Sequence, residues 1–318
     1  MSEMEELTIV IAALNAAETL PTTLQSLENS LSSGARLILV NDGSTDRTME
    51  VMERHVENWP KSKIIKNSDP KGAGIARNEA LDAVMTKYVT VMDADDWVRP
   101  DYHRSLIQYF SKNSNLDFVR SSCIEAFPKE RRVRRIFSDV AEKPVDPKLC
   151  IMPENASTPV DNAVIPAGMY SSEFLNKHFI RYANFHTAED RLFIWKAMVL
   201  GDLFLVSDEY GMFYRRGRQE SLTGIGDERQ TEFVESYAEI FSFLYTGNRS
   251  EFAPKAIRQF LAISCFQIDR ESRLTETAKN KMYAKIRGLL QTLPLKDVEK
   301  SLSKIDAKRR KIIQDILK

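Results

Sequence analysis

The chain has 318 residues, 45 Lys+Arg against 45 Asp+Glu, 43% hydrophobic residues and three cysteines. Balanced charge points away from a nucleic-acid partner, and the widely spaced Cys123, Cys150 and Cys265 argue against a disulfide framework or a zinc site. The acidic start MSEMEE, with no apolar run near the roughly 20 residues a membrane span needs, predicts a soluble protein of the reducing cytosol.

In chain order, TIVIAAL (8–14) reads as a buried strand, and 15–32 shows helix spacing through Leu20, Leu24, Leu27 and Leu31. ARLILV (35–40) is a second strand running into NDGSTD and a helix over about 47–59. KIIKN, the turn SDPKG, a helix over about 74–85 and the strand YVTVM (88–92) follow. Strands apolar on both faces and alternating with helices predict an α/β fold with a mostly parallel central sheet and helices on both faces. Ligands of such sheets bind beyond the carboxyl ends of the strands. Those ends carry Asn15, then 41–46, then 67–77, then Asp93, Asp95 and Asp96. No GxxxxGKT cradle is present and no GxGxxG follows the first strand. Three carboxylates crowded at one strand end repel each other, and a divalent cation with oxygen ligands, Mg²⁺ or Mn²⁺, relieves them. The plainer reading takes the same aspartates as turn and helix-cap residues.

DFVRSSCIEAF (117–127) reads as a strand, and KERRVRR (129–135) either as a solvated hairpin or as a patch for an anionic acceptor. Residues 139–166 read as loop. In NFHTAEDRLFIWKAM (184–198), Thr187 is expected to cap a helix with Glu189 and Asp190 in its first turn. His103 and His178 are assigned structural or surface roles, and His186 is kept as an acceptor contact. From about 227 the pattern is helical, in four segments. Residues 279–318 hold twelve Lys/Arg against four Asp/Glu, which suits a peripheral membrane contact, a homo-oligomer or, ranked first, a plain helical appendage.

Taken together, TIVIAALNAAETL, LILVNDGSTDRT, KNSDPKGAGIARNEAL and VTVMDADDW resemble the nucleotide-sugar half of the family 2 glycosyltransferases, inverting enzymes of the GT-A (Rossmann-like) fold, over 8 to about 110. The resemblance implies a GT-A domain over 1–226, with its nucleotide-sugar half ending near 110 and its acceptor half at 111–226. A C-terminal all-α region over 227–318 follows. It also implies that Asp42 holds uracil, that Asn67 and Arg77 line the nucleotide pocket, and that Asp93 lies by the ribose and metal. Asp95 would ligate Mn²⁺ or Mg²⁺ between the donor phosphates. Asn15, Ala94 and the backbone at Ala12, where many members carry Pro, would complete the donor wall. The Glu189–Asp190 pair resembles the family's ED motif, with Asp190 as general base and Glu189 supporting the acceptor. FLVSDEYGMFYRRGRQESLT resembles the late segment in which Arg215, Arg216 or Arg218 reaches the pyrophosphate.

The implied activity is inverting transfer of a hexose or N-acetylhexosamine from a UDP-sugar to a hydroxyl of a surface polysaccharide, a teichoic-acid-like polymer or a lipid-linked glycan. The expected location is the cytoplasm, with peripheral contact at the inner face of the membrane as a variant. The competing readings are a nucleotidyltransferase and a catalytically silent scaffold that binds sugar polymers.

Overall fold

The computed structural model describes residues 3–30, 34–134, 141–164, 167–217 and 226–318. The elements run β1 (Leu7–Ala13), α1 (Leu20–Ser30), β2 (Arg36–Asp42), α2 (Thr48–Val56), β3 (Ser62–Asn67), α3 (Ala73–Asp82), β4 (Tyr88–Asp93), β5 (Trp97–Val98) and α4 (Tyr102–Lys112). They continue as β6 (Phe118–Ala126), β7 (Arg131–Arg134), β8 (Gly168–Ser171), α5 (Ser172–Lys177), α6 (Asp190–Leu200) and β9 (Phe204–Arg215). The helices α7 (Phe233–Thr246), α8 (Ala253–Ile268), α9 (Glu276–Thr292), α10 (Leu295–Ser303) and α11 (Ala307–Leu317) close the chain.

One nine-stranded sheet has the order β3-β2-β1-β4-β8-β6-β9-β5, with β7 on the side of β6. The long ladders β3-β2-β1-β4 and β6-β9 are parallel, and short antiparallel pairings through β8, β7 and β5 join and edge them. Successive residues of β1 and β2 face opposite ways, so each strand feeds two cores. Ile9, Ile11, Leu37 and Leu39 pack with residues of α1, α2 and α4 on one face. Val10, Ile38, Val40, Val89 and Val91 pack with α3, α5 and α6 on the other, and that core runs on without a break into α7–α11 as far as Ile316. Among the described residues no helix is long and apolar enough to cross a membrane.

Three local expectations are corrected. The first helix starts at Leu20 rather than Asn15, because Asn15 takes a left-handed φ of 49° and the next two N–H groups donate to Thr48 Oγ1 and Asp46 Oδ2. The helix after NFHTAE starts at Asp190, and Thr187 does not cap it. Its hydroxyl donates instead to the Arg229 carbonyl at 2.7 Å. The terminal helix is two helices, interrupted before Asp306, whose side chain caps α11 by accepting from Arg309 N. His103 is fully buried with neither ring nitrogen partnered, and burial pushes its pKa down to about 3, as befits a packing residue. Residues 135–140, 165 and 166 of the expected basic run and loop lie outside the described residues.

Candidate active site

The carboxyl ends of β1, β2, β3 and β4 converge in space as the sheet rule requires. Asp42, only 2% exposed at the end of β2, accepts from Asn67 Nδ2 (2.9 Å), Lys71 N (3.0 Å) and Gly72 N (2.9 Å). Its carboxylate therefore ties down the 67–72 loop. Gly43 just behind it has φ 73°, and a Cβ there would lie 2.6 Å from the Asp69 and Pro70 backbone, so only glycine lets the two loops meet. Asn15 Oδ1 accepts from Thr45 N at 2.9 Å and so joins the first loop to the second. Burial pushes the Asp46 carboxyl up, yet the bonds from Thr48 and Ala17 outweigh it and leave its pKa lowered. Ala12 is paired with Asp93 across β1 and β4, and Ala94 is buried in the turn beyond.

The loop that carries Glu189 and Asp190 is brought to this edge by α3. Gly74 in the first turn of α3 sits so close that a Cβ would come within 2.2 Å of the Ala183 carbonyl. One turn on, Asn78 exchanges two hydrogen bonds with the Tyr182 backbone at 2.9 and 3.0 Å. Arg77 projects between the two halves. Its Nη2 donates to Asp93 Oδ1 at 2.6 Å, its Nη1 to Glu189 Oε1 at 2.5 Å, and its guanidinium lies 5.1 Å from the Tyr182 ring centroid. Burial disfavours the Arg77 charge, but Asp93 and Glu189 more than offset this and hold it firmly protonated. A planar fork with two donor edges suits this bridge.

Asp190 is half-buried, with no hydrogen-bond donor to its carboxylate among the described residues. Desolvation first, and then the neighbouring Glu189, push its pKa up to about 7. It is thus a carboxylate poised to exchange a proton near neutral pH. Behind it, Arg191 donates to Tyr237 Oη (3.5 Å), Tyr237 Oη to Gln259 Oε1 (3.3 Å), and Gln259 Nε2 to Asp161 Oδ1 (2.7 Å). Lys255, 1% exposed, closes the chain on Asp161 Oδ2 at 2.5 Å. Helix α6 is therefore set by α7 and α8. The loop before it is strapped to the same region by Glu232, which accepts from His186 N, Thr187 N and the His186 ring, and by Ser236, which donates to the Ala188 carbonyl.

Asp93, Asp95 and Asp96 offer carboxylate oxygens that lie within 4.8 Å of one another. Asp96 is fully buried, and one of its oxygens has no partner. Burial and then the charges of Asp93 and Asp95 push its pKa well up. All-oxygen, like-charged donors with an unsatisfied buried atom fit a hard divalent cation such as Mg²⁺ or Mn²⁺. Arg215 adjoins this cluster: its N–H donates to Asp96 Oδ1 at 2.8 Å and its Nε to the Asp95 carbonyl at 2.6 Å. Arg216 turns away, to Glu125 at 3.5 Å and over the Tyr214 ring. Arg218 lies outside the described residues.

Sequence reasoning singled out Asn67, Arg77, Asp93, Asp95, Glu189 and Asp190, and the fold brings them to one edge. It gave Asp96 no separate role, and missed Tyr182 beneath Arg77 and the chain from Arg191 to Lys255. A motif search had no signal for these, since their partners lie on other helices. The one available hint was a lone lysine inside the apolar stripe of α8.

Residues 8–161 match the family model described as "Glycosyl transferase family 2". The match takes in the stretch from β1 to the loop before β8, a little under half of the chain. Over 107 residues the chain is 32% identical to the uncharacterized glycosyltransferase YibD of Escherichia coli K12, covering 34% of this chain and 31% of that one. Over 94 residues it is 36% identical to the teichoic acid poly(glycerol phosphate) polymerase of Staphylococcus epidermidis, covering 29% and 13%. The matched stretch thus spans about a third or less of these relatives' length. Two crystal structures of S. aureus TarS superpose over 98% of the chain. TarS 1–349 in complex with UDP-GlcNAc gives a TM-score of 0.74 at 15% identity over 87% of its length, and TarS gives 0.73 at 15% over 52%. The fold is accordingly GT-A.

Proposed function

We propose that the protein is an inverting, metal-dependent glycosyltransferase that moves a hexose or N-acetylhexosamine from a UDP-sugar to a hydroxyl of a surface polysaccharide, a teichoic-acid-like polymer or a lipid-linked glycan. The observation that carries this reading is the Arg77 bridge. One guanidinium joins Asp93 of the carboxylate cluster to Glu189 beside Asp190, so donor and acceptor machinery share a single fixed geometry. The UDP-GlcNAc bound by TarS, a protein of the same fold, supports a UDP-sugar donor here.

In this reading Asp42, Asn67 and Arg77, with Asn15, Ala12 and Ala94, form the nucleotide-sugar wall, and Arg215 is the basic group nearest the pyrophosphate. Asp95 and Asp93, together with Asp96, would hold the cation, which would supply positive charge to offset that of the leaving nucleoside diphosphate. Asp190 takes the proton from the acceptor hydroxyl as that oxygen attacks the anomeric carbon from the face opposite the leaving group. Glu189, held in place by Arg77, raises the proton affinity of the neighbouring Asp190. A single base with no nucleophile gives inversion. Residues 1–226 are read as the catalytic unit and 227–318 as its helical support.

The test is a thermal-shift panel of UDP, GDP, CMP and dTDP, each with Mn²⁺ and with EDTA. A ligand at a hundred times its Kd stabilises the native state by about 2.7 kcal/mol, so a donor nucleotide is readily visible. The expected result is a Mn²⁺-dependent shift with UDP alone. No shift with any nucleotide would overturn the reading and favour the scaffold alternative.

A further inference from the structure

The β7-β6-β9-β5 corner of the sheet has two faces of different character. The register pairs Ala126 with both Arg131 and Arg215, Ile124 with both Val133 and Phe213, and Phe213 with Trp97. Paired residues project to the same side, so Arg131, Val133, Ile124, Phe213, Trp97 and Arg215 share one face. On the opposite face the basic residues are neutralised: Glu125 pairs Arg134 at 3.8 Å and Arg216 at 3.5 Å, and Glu130 at the strand turn pairs Arg132 at 2.5 Å.

On the first face neither arginine is ion-paired among the described residues. Arg131 spends Nη1 on two backbone carbonyls, those of Phe127 and Glu130. Arg215 bonds the Asp95 carbonyl through Nε. Both guanidinium groups sit over one indole, at 4.7 Å for Arg215 and 6.0 Å for Arg131 from the Trp97 centroid. Trp97 itself stacks on Phe213 at 5.3 Å and 5°. The result is an aromatic platform with two cations gathered over it, beginning at the carboxylate cluster.

We propose that this face is the acceptor subsite, and that it takes a polymer of phosphodiesters joined by short polyols. The proposal rests on the glycosyltransferase reading and narrows its acceptor. A guanidinium fork matches two phosphate oxygens, and the indole offers an apolar bed to the intervening carbon chain. The six described side chains named on this face are guanidinium, aromatic or aliphatic, and none can accept from a hydroxyl-rich ring, which disfavours a neutral glycan. Val133, 55% exposed, is the one large exposed aliphatic on it, whereas a membrane-binding surface needs a broad apolar stripe to insert. The face ends at Arg215, the arginine assigned above to the donor pyrophosphate, so a polymer held by Arg131 and Trp97 brings its end next to the donor.

The experiment measures binding of a synthetic poly(glycerol phosphate) octamer to the full chain, with three controls: a phosphate-free maltooligosaccharide, a hyaluronan oligosaccharide of equal charge, and vesicles containing phosphatidylglycerol. Binding of the octamer above all three, weakened about tenfold in Arg131→Gln, as expected for loss of one charge-assisted contact, supports the proposal. Trp97→Leu is expected to weaken it by several-fold as a second variant. Unchanged affinity in both variants overturns it, as does tighter binding of hyaluronan, of the neutral glycan or of vesicles. The Mn²⁺-dependent UDP shift is measured on the same samples. A retained shift with no octamer binding removes this acceptor alone, and a lost shift in the parent protein removes the enzyme reading together with it.

Discussion

The donor edge and the acceptor edge of this site are built by opposite means. At the donor edge of the proposed reading the groups are held by neighbouring strand-end loops of the same sheet, as Asp42 is by 67–72 and Asp46 is by Thr48. At the acceptor edge Asp190 has no donor among the described residues, and its helix is placed by groups from α7 and α8, ending in a buried lysine whose partner is 94 residues away. Bonds between adjacent strand ends make a cradle fixed by the sheet itself. Long-range support leaves the base half-buried and weakly solvated, which is what raises its proton affinity.

The sharpest way to break the comparison is Asp190→Asn. Transfer is expected to fall by roughly 10² to 10⁴, with the UDP shift retained, because only the acceptor edge loses its base. The same variant also reports on the pKa. In the folded protein Asp190 titrates near 7, above the value of about 3.9 for an unfolded aspartate, so between these the native state binds the extra proton. Native stability therefore declines as pH rises from about 4 to about 7, and the parent enzyme gains activity over the upper part of that range as the base is released. Asp190→Asn should melt higher than the parent at pH 8 and match it at pH 4. An acid limb that is the same in a Glu189→Gln variant would count against Glu189 as a contributor.

Next in size is Arg77→Lys. One ammonium cannot serve both Asp93 and Glu189, so an uncompensated carboxylate remains, with a cost of about 3 kcal/mol in urea unfolding. Loss at both edges is expected: a weaker UDP shift and a lower kcat. Full retention of either would separate the edges. Lys255→Met is smaller, about 1 to 3 kcal/mol, and tests the acceptor support alone. The UDP shift should survive while kcat falls more than the donor KM changes. The mildest is His186→Ala. The His186 side chain is 52% exposed and its contact with Glu232 is a surface pair, so a change of about 0.2 to 1 kcal/mol is expected, with donor binding untouched.

The same contrast explains what could be read from the amino acids. The donor edge was legible because its determinants are contiguous: apolar strands running into NDGSTD, SDPKG and DADD announce strand ends, and the sheet rule gathers them. The Glu189–Asp190 pair was legible only through its place before an apolar helix, and the cap was misassigned because the fate of the Thr187 hydroxyl depends on Arg229, 42 residues on. Tyr182 and Gln259 gave no local sign and Lys255 only its place in an apolar stripe, since their significance lies in partners on other elements. Arg215 and Arg216 are adjacent in sequence and alike in chemistry. It is strand alternation that sends one to the carboxylate cluster and the other to Glu125.

The Arg77 bridge also bears on when in the life of the molecule the site comes into being. Its two anchors lie 16 and 112 residues downstream. Synthesis is vectorial, and domains assemble from the N-terminal side as they emerge from the ribosome. A nascent chain that has released the whole donor cradle still lacks Glu189, Asp190 and the helices that seat them. It meets a nucleotide sugar with no base in place and no Lys255 to fix the wall behind it. On the proposed reading, a chain caught mid-translation has its donor wall without its base, and the site is complete only when α8 has folded back onto Asp161.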